Sequence, residues 1–283
     1  MVKIEEITTT PTFSNQLEDK VLYSHHSSDI SVSYKSTYTL KYVIEGVKQY
    51  NYNNQDIEVS KNQYLILNND STITTEAKSG AKGLSFFLSE SLINEVYKYH
   101  TNDIVRLEFL EVIHKKSTSE VSFLLDKIAH LYMHDKITFE RLMESLFIQI
   151  SEVVVKEQIN IDTKFTALKI IKHNTKKQLF QLITAAKEYL NDNISEEISL
   201  AKVSSDIGIS KYYLHRLFTE LHGYTPLSYL TSIRIEKAKH KLQYSRDSIL
   251  EIAIACGFDN SSYFSNVFKR HIGFSPTQFR KKV

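Results

Sequence analysis

The chain has 283 residues, 42% of them hydrophobic, a single cysteine, and a formal net charge of +2 at pH 7. That length suits roughly two or three compact units with ordinary cores. No apolar run approaches membrane-spanning length, and the start, Met1-Val2-Lys3-Ile4-Glu5-Glu6, lacks the apolar stretch of a signal peptide, so a cytoplasmic location is expected. Cys256 alone excludes an intramolecular disulfide and a Cys-rich zinc site, and is expected to be a small buried hydrophobe rather than a reactive thiol.

From about Ile30 to Leu88 the sequence alternates and is rich in Tyr, Val, Ile and Thr, interrupted by Asn53-Asn54 and by glycines. This pattern predicts short antiparallel strands, clearest at Tyr38–Ile44, Val47–Tyr52, Asp56–Val59 and Tyr64–Leu67, closing into a small barrel or jelly roll. Among them Tyr42, Tyr50, Tyr52 and Tyr64 are candidates to line a small-ligand site, offering apolar walls with polar tips; plain core packing is the competing reading. From Ser89 to residue 172 the spacing turns helical, with Leu92, Ile93, Val96 and Tyr97, then Phe123, Leu124, Ile128 and Leu131. A stronger stripe runs through Leu142, Leu146, Phe147, Ile150 and Val154, able to pack on the barrel or on a second subunit.

No catalytic or metal centre is expected. His25-His26 would point to opposite sides of a strand, His100, His114, His130 and His134 fall in the helical part, and the His130/His134 pair lacks an evident third ligand. No nucleophile elbow, P-loop or dinucleotide fingerprint is present, so no cofactor is expected and enzymatic activity is not.

The polar run 173–177 reads as a linker between residues 1–172 and 178–283. The charge divides near it: from His173 onward 16 lysines and arginines face 10 acidic residues, whereas the preceding part has 19 against 23. The basic part contains one segment twice. The first copy runs from Val203 to Phe218 and closes with Gly223-Tyr224-Thr225-Pro226; the second runs from Ile252 to Phe268 and closes with Gly273-Phe274-Ser275-Pro276. Each reads as a helix-turn-helix, over about 199–222 and 248–272, joined by a helix from Pro226 to about Leu242. Helix starts are marked by Ser199, by Thr225 and Ser275 each followed by proline, and by capping boxes at Ser248/Glu251 and Ser275/Gln278.

In the first second-helix, Tyr213, Leu214, Leu217 and Phe218 have the inward spacing, leaving Lys211, Tyr212, His215 and Arg216 outside. Arg216 suits a guanine, since its fork can bond O6 and N7 together. In the second copy Tyr263, Phe264, Val267 and Phe268 are expected inside, with Ser261, Ser262, Ser265 and Asn266 outside; Asn266 suits an adenine. Ser210, Lys269 and Arg270 are the phosphate candidates. A rigid connecting helix would hold both second helices in successive major grooves, about 34 Å apart.

The run Ile252-Ala253, Gly257-Phe258, Ser262-Tyr263-Phe264, Phe268-Lys269, Gly273-Phe274-Ser275-Pro276 resembles the signature of AraC/XylS-type transcription regulators. The resemblance covers residues 178–283 and implies base contacts by Tyr212, His215 and Arg216 and by Ser261, Ser262, Ser265 and Asn266. Where many members carry an arginine in the second copy this chain has Asn266, so that copy is expected to position more than to specify. The layout ahead of it is similar to the family's regulatory domain. The implied fold is two-domain α+β: a cupin-like barrel (about 30–88) with helices for dimerisation (about 89–172), then an all-α domain of seven helices. The implied function is a sequence-specific activator of transcription, a homodimer binding double-stranded promoter or operator DNA, contacting RNA polymerase and responding to a small-molecule effector, with no membrane partner. The alternative is a cupin-type binding protein or enzyme whose C-terminal helices contact a protein.

Overall fold

The computed structural model describes residues 2–10, 19–52, 55–69, 72–102, 107–111, 113–114, 119–170 and 172–282; Asn53-Asn54 lies outside them. Two compact units are present, Met1–Thr163 and Lys164–Val283.

The first unit is β-rich. Its strands are β1 (Lys3–Ile7), β2 (Lys20–His25), β3 (Ile30–Lys35), β4 (Tyr38–Glu45), β5 (Val47–Tyr52), β6 (Gln55–Ser60), β7 (Tyr64–Leu67), β8 (Thr72–Ala77) and β9 (Lys82–Leu88), followed by helix α1 (Glu90–Thr101), the short strand β10 (Ile113–His114), and helices α2 (Glu120–His134) and α3 (Lys136–Ala167). The described strands lie in two sheets, ordered β1-β2-β9-β4-β7-β10 and β3-β8-β5-β6. No closed ring is formed among them.

Burial patterns follow from how each sheet is covered. β5 alternates strictly, with Lys48, Tyr50 and Tyr52 buried between exposed neighbours, as expected for a sheet with one wet face. β4 is buried almost throughout because both its faces are covered. Tyr38, Leu40 and Tyr42 join Leu84, Phe86 and the helices in one core; Val43 joins Leu65, Phe87, Tyr50 and Tyr52 in the core between the sheets. Leu146, Phe147, Ile150 and Val154 of α3 belong to the first core, each contributing about 1.5–3 kcal/mol by leaving water. The α3 stripe is therefore spent inside its own unit, and Leu146 at 3% exposure is not available to a second subunit.

Strands also begin earlier than the alternation predicts. β1 pairs in parallel with β2 while its own side chains are mostly exposed, so its apolar pattern is weak and its place depends on backbone pairing. No helix among the described residues is long and apolar enough to cross a membrane.

The second unit is helical: α4 (His173–Asp192), α5 (Leu200–Ile207), α6 (Lys211–His222), α7 (Pro226–Tyr244), α8 (Ile249–Ala255), α9 (Ser261–Ile272) and α10 (Pro276–Arg280). Residues 173–177, expected as a linker, form the first turns of α4. Their polarity misleads because early α4 residues are exposed or half-buried and Lys172 provides no side-chain cap.

Candidate nucleic-acid interface

Each helix-turn-helix is built from local signals and one apolar face. In the first, the Ser199 hydroxyl accepts from the Lys202 amide to open α5, and Gly208 ends it with φ 77°. The Ser210 hydroxyl accepts from the Tyr213 amide at 3.2 Å to open α6. Val203, Leu214, Leu217, Phe218 and Leu221 are buried, and α4 packs against α5, α6 and α7. In the second, Ser248 and Glu251 form a reciprocal capping box at α8, and the Asn260 side chain accepts from the Tyr263 amide at 2.8 Å to open α9. Ile235, Ala238 and Leu242 of α7 pack with Ile252, Ala253, Phe264, Val267 and Phe268. Cys256 is in this cluster, fully buried, and burial pushes its thiol pKa up.

The outer face of α6 carries Lys211, Tyr212, His215 and Arg216, all exposed, with Tyr212 at 76%. The Arg216 guanidinium lies 5.4 Å from the centre of the Tyr213 ring, which is half-buried and shelves the arginine one turn below. Ser210 is exposed, its hydroxyl engaged in the cap. On α9, Ser262, Asn266, Lys269 and Arg270 are exposed while Ser261 and Ser265 are half-buried. Tyr263 differs from expectation: it is 58% exposed, with its ring tilted against Phe258 at 6.2 Å between ring centres. At i−1 of Phe264 it lies at the rim of the apolar stripe, so spacing alone placed it a step too far inward.

Arg234 of α7 carries a role that composition does not betray. Its Nε donates to the Ile194 carbonyl at 2.8 Å, its Nη2 donates to the Glu196 carbonyl at 2.6 Å, and its guanidinium lies 5.8 Å from the Phe258 ring centre. Lys237 donates to the Ser195 hydroxyl at 2.8 Å, which in turn donates to the Ala255 carbonyl at 3.0 Å. The α4–α5 loop is thus tied through α7 to the turn of the second helix-turn-helix. In the sequence these are two more basic residues of a basic helix.

The four tyrosines separate. The Tyr42 hydroxyl donates to Asp126 at 2.5 Å and Tyr64 meets Ser119 at 3.4 Å, both on the helical side of the six-stranded sheet. Tyr52 donates to Glu111. Tyr50 lines a cavity between the two sheets, which Tyr42, Tyr52 and Tyr64 do not line. Among the described residues no group of three or more His, Cys, Asp or Glu is placed to hold a metal; the His130 and His134 rings lie tilted to one another with centres 4.6 Å apart.

Residues 203–282 match a family described as Helix-turn-helix domain, and residues 39–128 match the ExsA N-terminal regulatory domain. Curated relatives include the HTH-type transcriptional activator RhaS of Escherichia fergusonii, 37% identical over 38% of this chain and 37% of that protein, and RhaS of Mannheimia succiniciproducens, 29% identical over 66% of each. The chain spans between about a third and two thirds of the length of these relatives. Solved structures similar to it include the C-terminal domain of AraT, a response regulator from Geobacillus stearothermophilus, 33% identical over 36% of this chain and 85% of that one, with a TM-score of 0.36. A transcriptional regulator with an AraC-type DNA-binding domain from Chromobacterium violaceum is 30% identical over 36% and 91%, with a TM-score of 0.35. Residues 203–282 are thus a helix-turn-helix domain of the AraC type, and residues 39–128 match a regulatory domain ahead of it.

Proposed function

We propose that the protein is a sequence-specific DNA-binding regulator of transcription, an activator like the RhaS relatives. Its N-terminal unit, read as a cupin-like sensing and dimerising domain over residues 1–172, controls residues 178–283. The observation that carries this reading is the pair of capped helix-turn-helix segments, the first with Lys211, Tyr212, His215 and Arg216 all exposed along one recognition helix. In this reading α6 enters a major groove and reads bases, with Arg216, steadied on Tyr213, as the guanine reader. Ser261, Ser262, Ser265 and Asn266 of α9 meet a second groove, with Ser210, Lys269 and Arg270 on the phosphates. The excess of basic residues from His173 onward supplies the attraction to the backbone. RNA polymerase is the partner through which activation acts, and the active form is a homodimer built on a surface other than the buried α3 stripe. An effector shifts the population of the form competent to bind.

The test is a gel shift of the full chain on DNA upstream of its own gene at rising salt. A specific complex that weakens steeply with salt is expected, since phosphate contacts release counterions. Arg216→Ala should cost about 1–3 kcal/mol and relax preference at one base. Binding that stays salt-insensitive and indifferent to sequence would refute the regulator reading; unchanged affinity in the variant would remove Arg216 from the reading set.

A further inference from the structure

The cavity between the two sheets contains the least comfortable groups in the first unit. Lys41 of β4 and Lys48 of β5 both line it, at 3% and 4% exposure. Lys41 donates to the hydroxyls of Tyr34 and Ser85, the latter at 3.1 Å, and its ammonium lies 4.6 Å from the Phe87 ring centre. Lys48 donates to the Ser24 hydroxyl. Neither meets a carboxylate among the described residues. His26 lines the same cavity, and its buried Nδ1 has no hydrogen-bond partner there.

Burying a lysine among apolar walls is costly unless an opposite charge accompanies it. Burial drives Lys41 well below the ordinary lysine range, with the charge of Lys48 adding to the effect, and drives Lys48 down to about 8. The His26 imidazole is held down to about 4 by burial, then by Lys48. The other titratable groups facing the lysines, Tyr34 and Tyr50, are neutral phenols whose pKa burial raises. The cavity therefore presents two amines and hydroxyl donors, with no anion of its own.

We propose that this cavity binds a small monocarboxylate, its two oxygens taken by Lys41 and Lys48 and its short apolar part set against Ile30 and Val32. The volume, about 30 Å³, admits a group the size of about two water molecules, which suits formate and at most acetate. Phosphate suits it poorly: a tetrahedral anion asks for donors on all sides, and Ile7, Leu22, Ile30 and Val32 close part of the wall without one. The inference gives the N-terminal unit a ligand class and rests on reading that unit as the sensor.

The experiment is calorimetric titration of the full chain with formate and acetate, alongside acetamide, chloride and phosphate. A carboxylate should bind saturably and take up protons, seen as a heat that changes with the buffer's ionisation enthalpy, because an opposite charge raises again the amine pKa values that burial has lowered. Acetamide, of acetate's shape without its charge, should bind at least tenfold more weakly. Lys41→Met and Lys48→Met keep side-chain length, remove a buried ammonium, and should each abolish binding without lowering the melting temperature. Absence of saturable binding, equal binding by acetamide or chloride, or binding that survives both substitutions overturns the site. The amide comparison uses the wild-type chain and so stands even where a variant fails to fold. Operator binding is scored separately: a gel shift unaffected by a carboxylate already seen to bind counts against the sensing role and leaves the site intact.

Discussion

Gly208 and Gly257 hold equivalent turns in the two helix-turn-helix segments and share a φ of 77°, yet their surroundings differ. A Cβ on Gly208 meets nothing within 4 Å, whereas on Gly257 it would fall 2.7 Å from both the Arg234 Nη2 and the Ile194 carbonyl oxygen. Gly208→Ala is expected to cost only the left-handed penalty, about 1–2 kcal/mol. Gly257→Ala should cost about 1–3 kcal/mol more, because Arg234 must give up charge-assisted bonds to the α4–α5 loop. Denaturant midpoints of the two variants measure this, and equal midpoints would show that Arg234 swings away freely. The glycines are plain in the sequence; the inequality between them is not, since Arg234 and Ile194 lie far from Gly257 along the chain.

Among the helices, those whose starts depend on a side chain bonding its own backbone were legible: Ser199, Thr225, Ser248 and Ser275 all cap as their positions suggest. The start of α4 was not, because Lys172 makes no side-chain cap and the first turns are polar. The α3 stripe was legible as a stripe, but periodicity names a buried face without naming what covers it. Its partner is the six-stranded sheet, so Leu146→Ala is expected to lower stability by about 2–5 kcal/mol through an unfilled cavity. Sedimentation should find its oligomeric state unchanged; a stable variant that loses a subunit contact would place the stripe on the surface instead.

For the whole molecule, the clearest pH effect comes from two histidines, one in each unit. Burial holds both His26 and His222 down to about 4, helped by Lys48 for the first and by Lys187 and Lys164 for the second. An unfolded histidine titrates near 6.5, so between those values the unfolded chain binds more protons. Stability is therefore complete above about pH 6.5 and declines as pH falls toward 4. Thermal melts across that range should show the decline, flattened by His26→Gln for the first unit and by His222→Gln for the second; curves parallel to wild type would acquit both side chains.

The sequence by itself determined what short-range chemistry can write: two capped helix-turn-helix segments, the outward row from Lys211 to Arg216, and an apolar stripe on α3. Tertiary structure decided which distant residues share a space. Strand pairing sets Lys41 opposite Ser85, and the meeting of the two sheets sets Lys48 against Ser24, while Tyr42 and Tyr64 go to the helical side and Tyr50 to the cavity. The physical reason is the two-residue period of a strand, which sorts side chains into two faces but says nothing of what either face will meet.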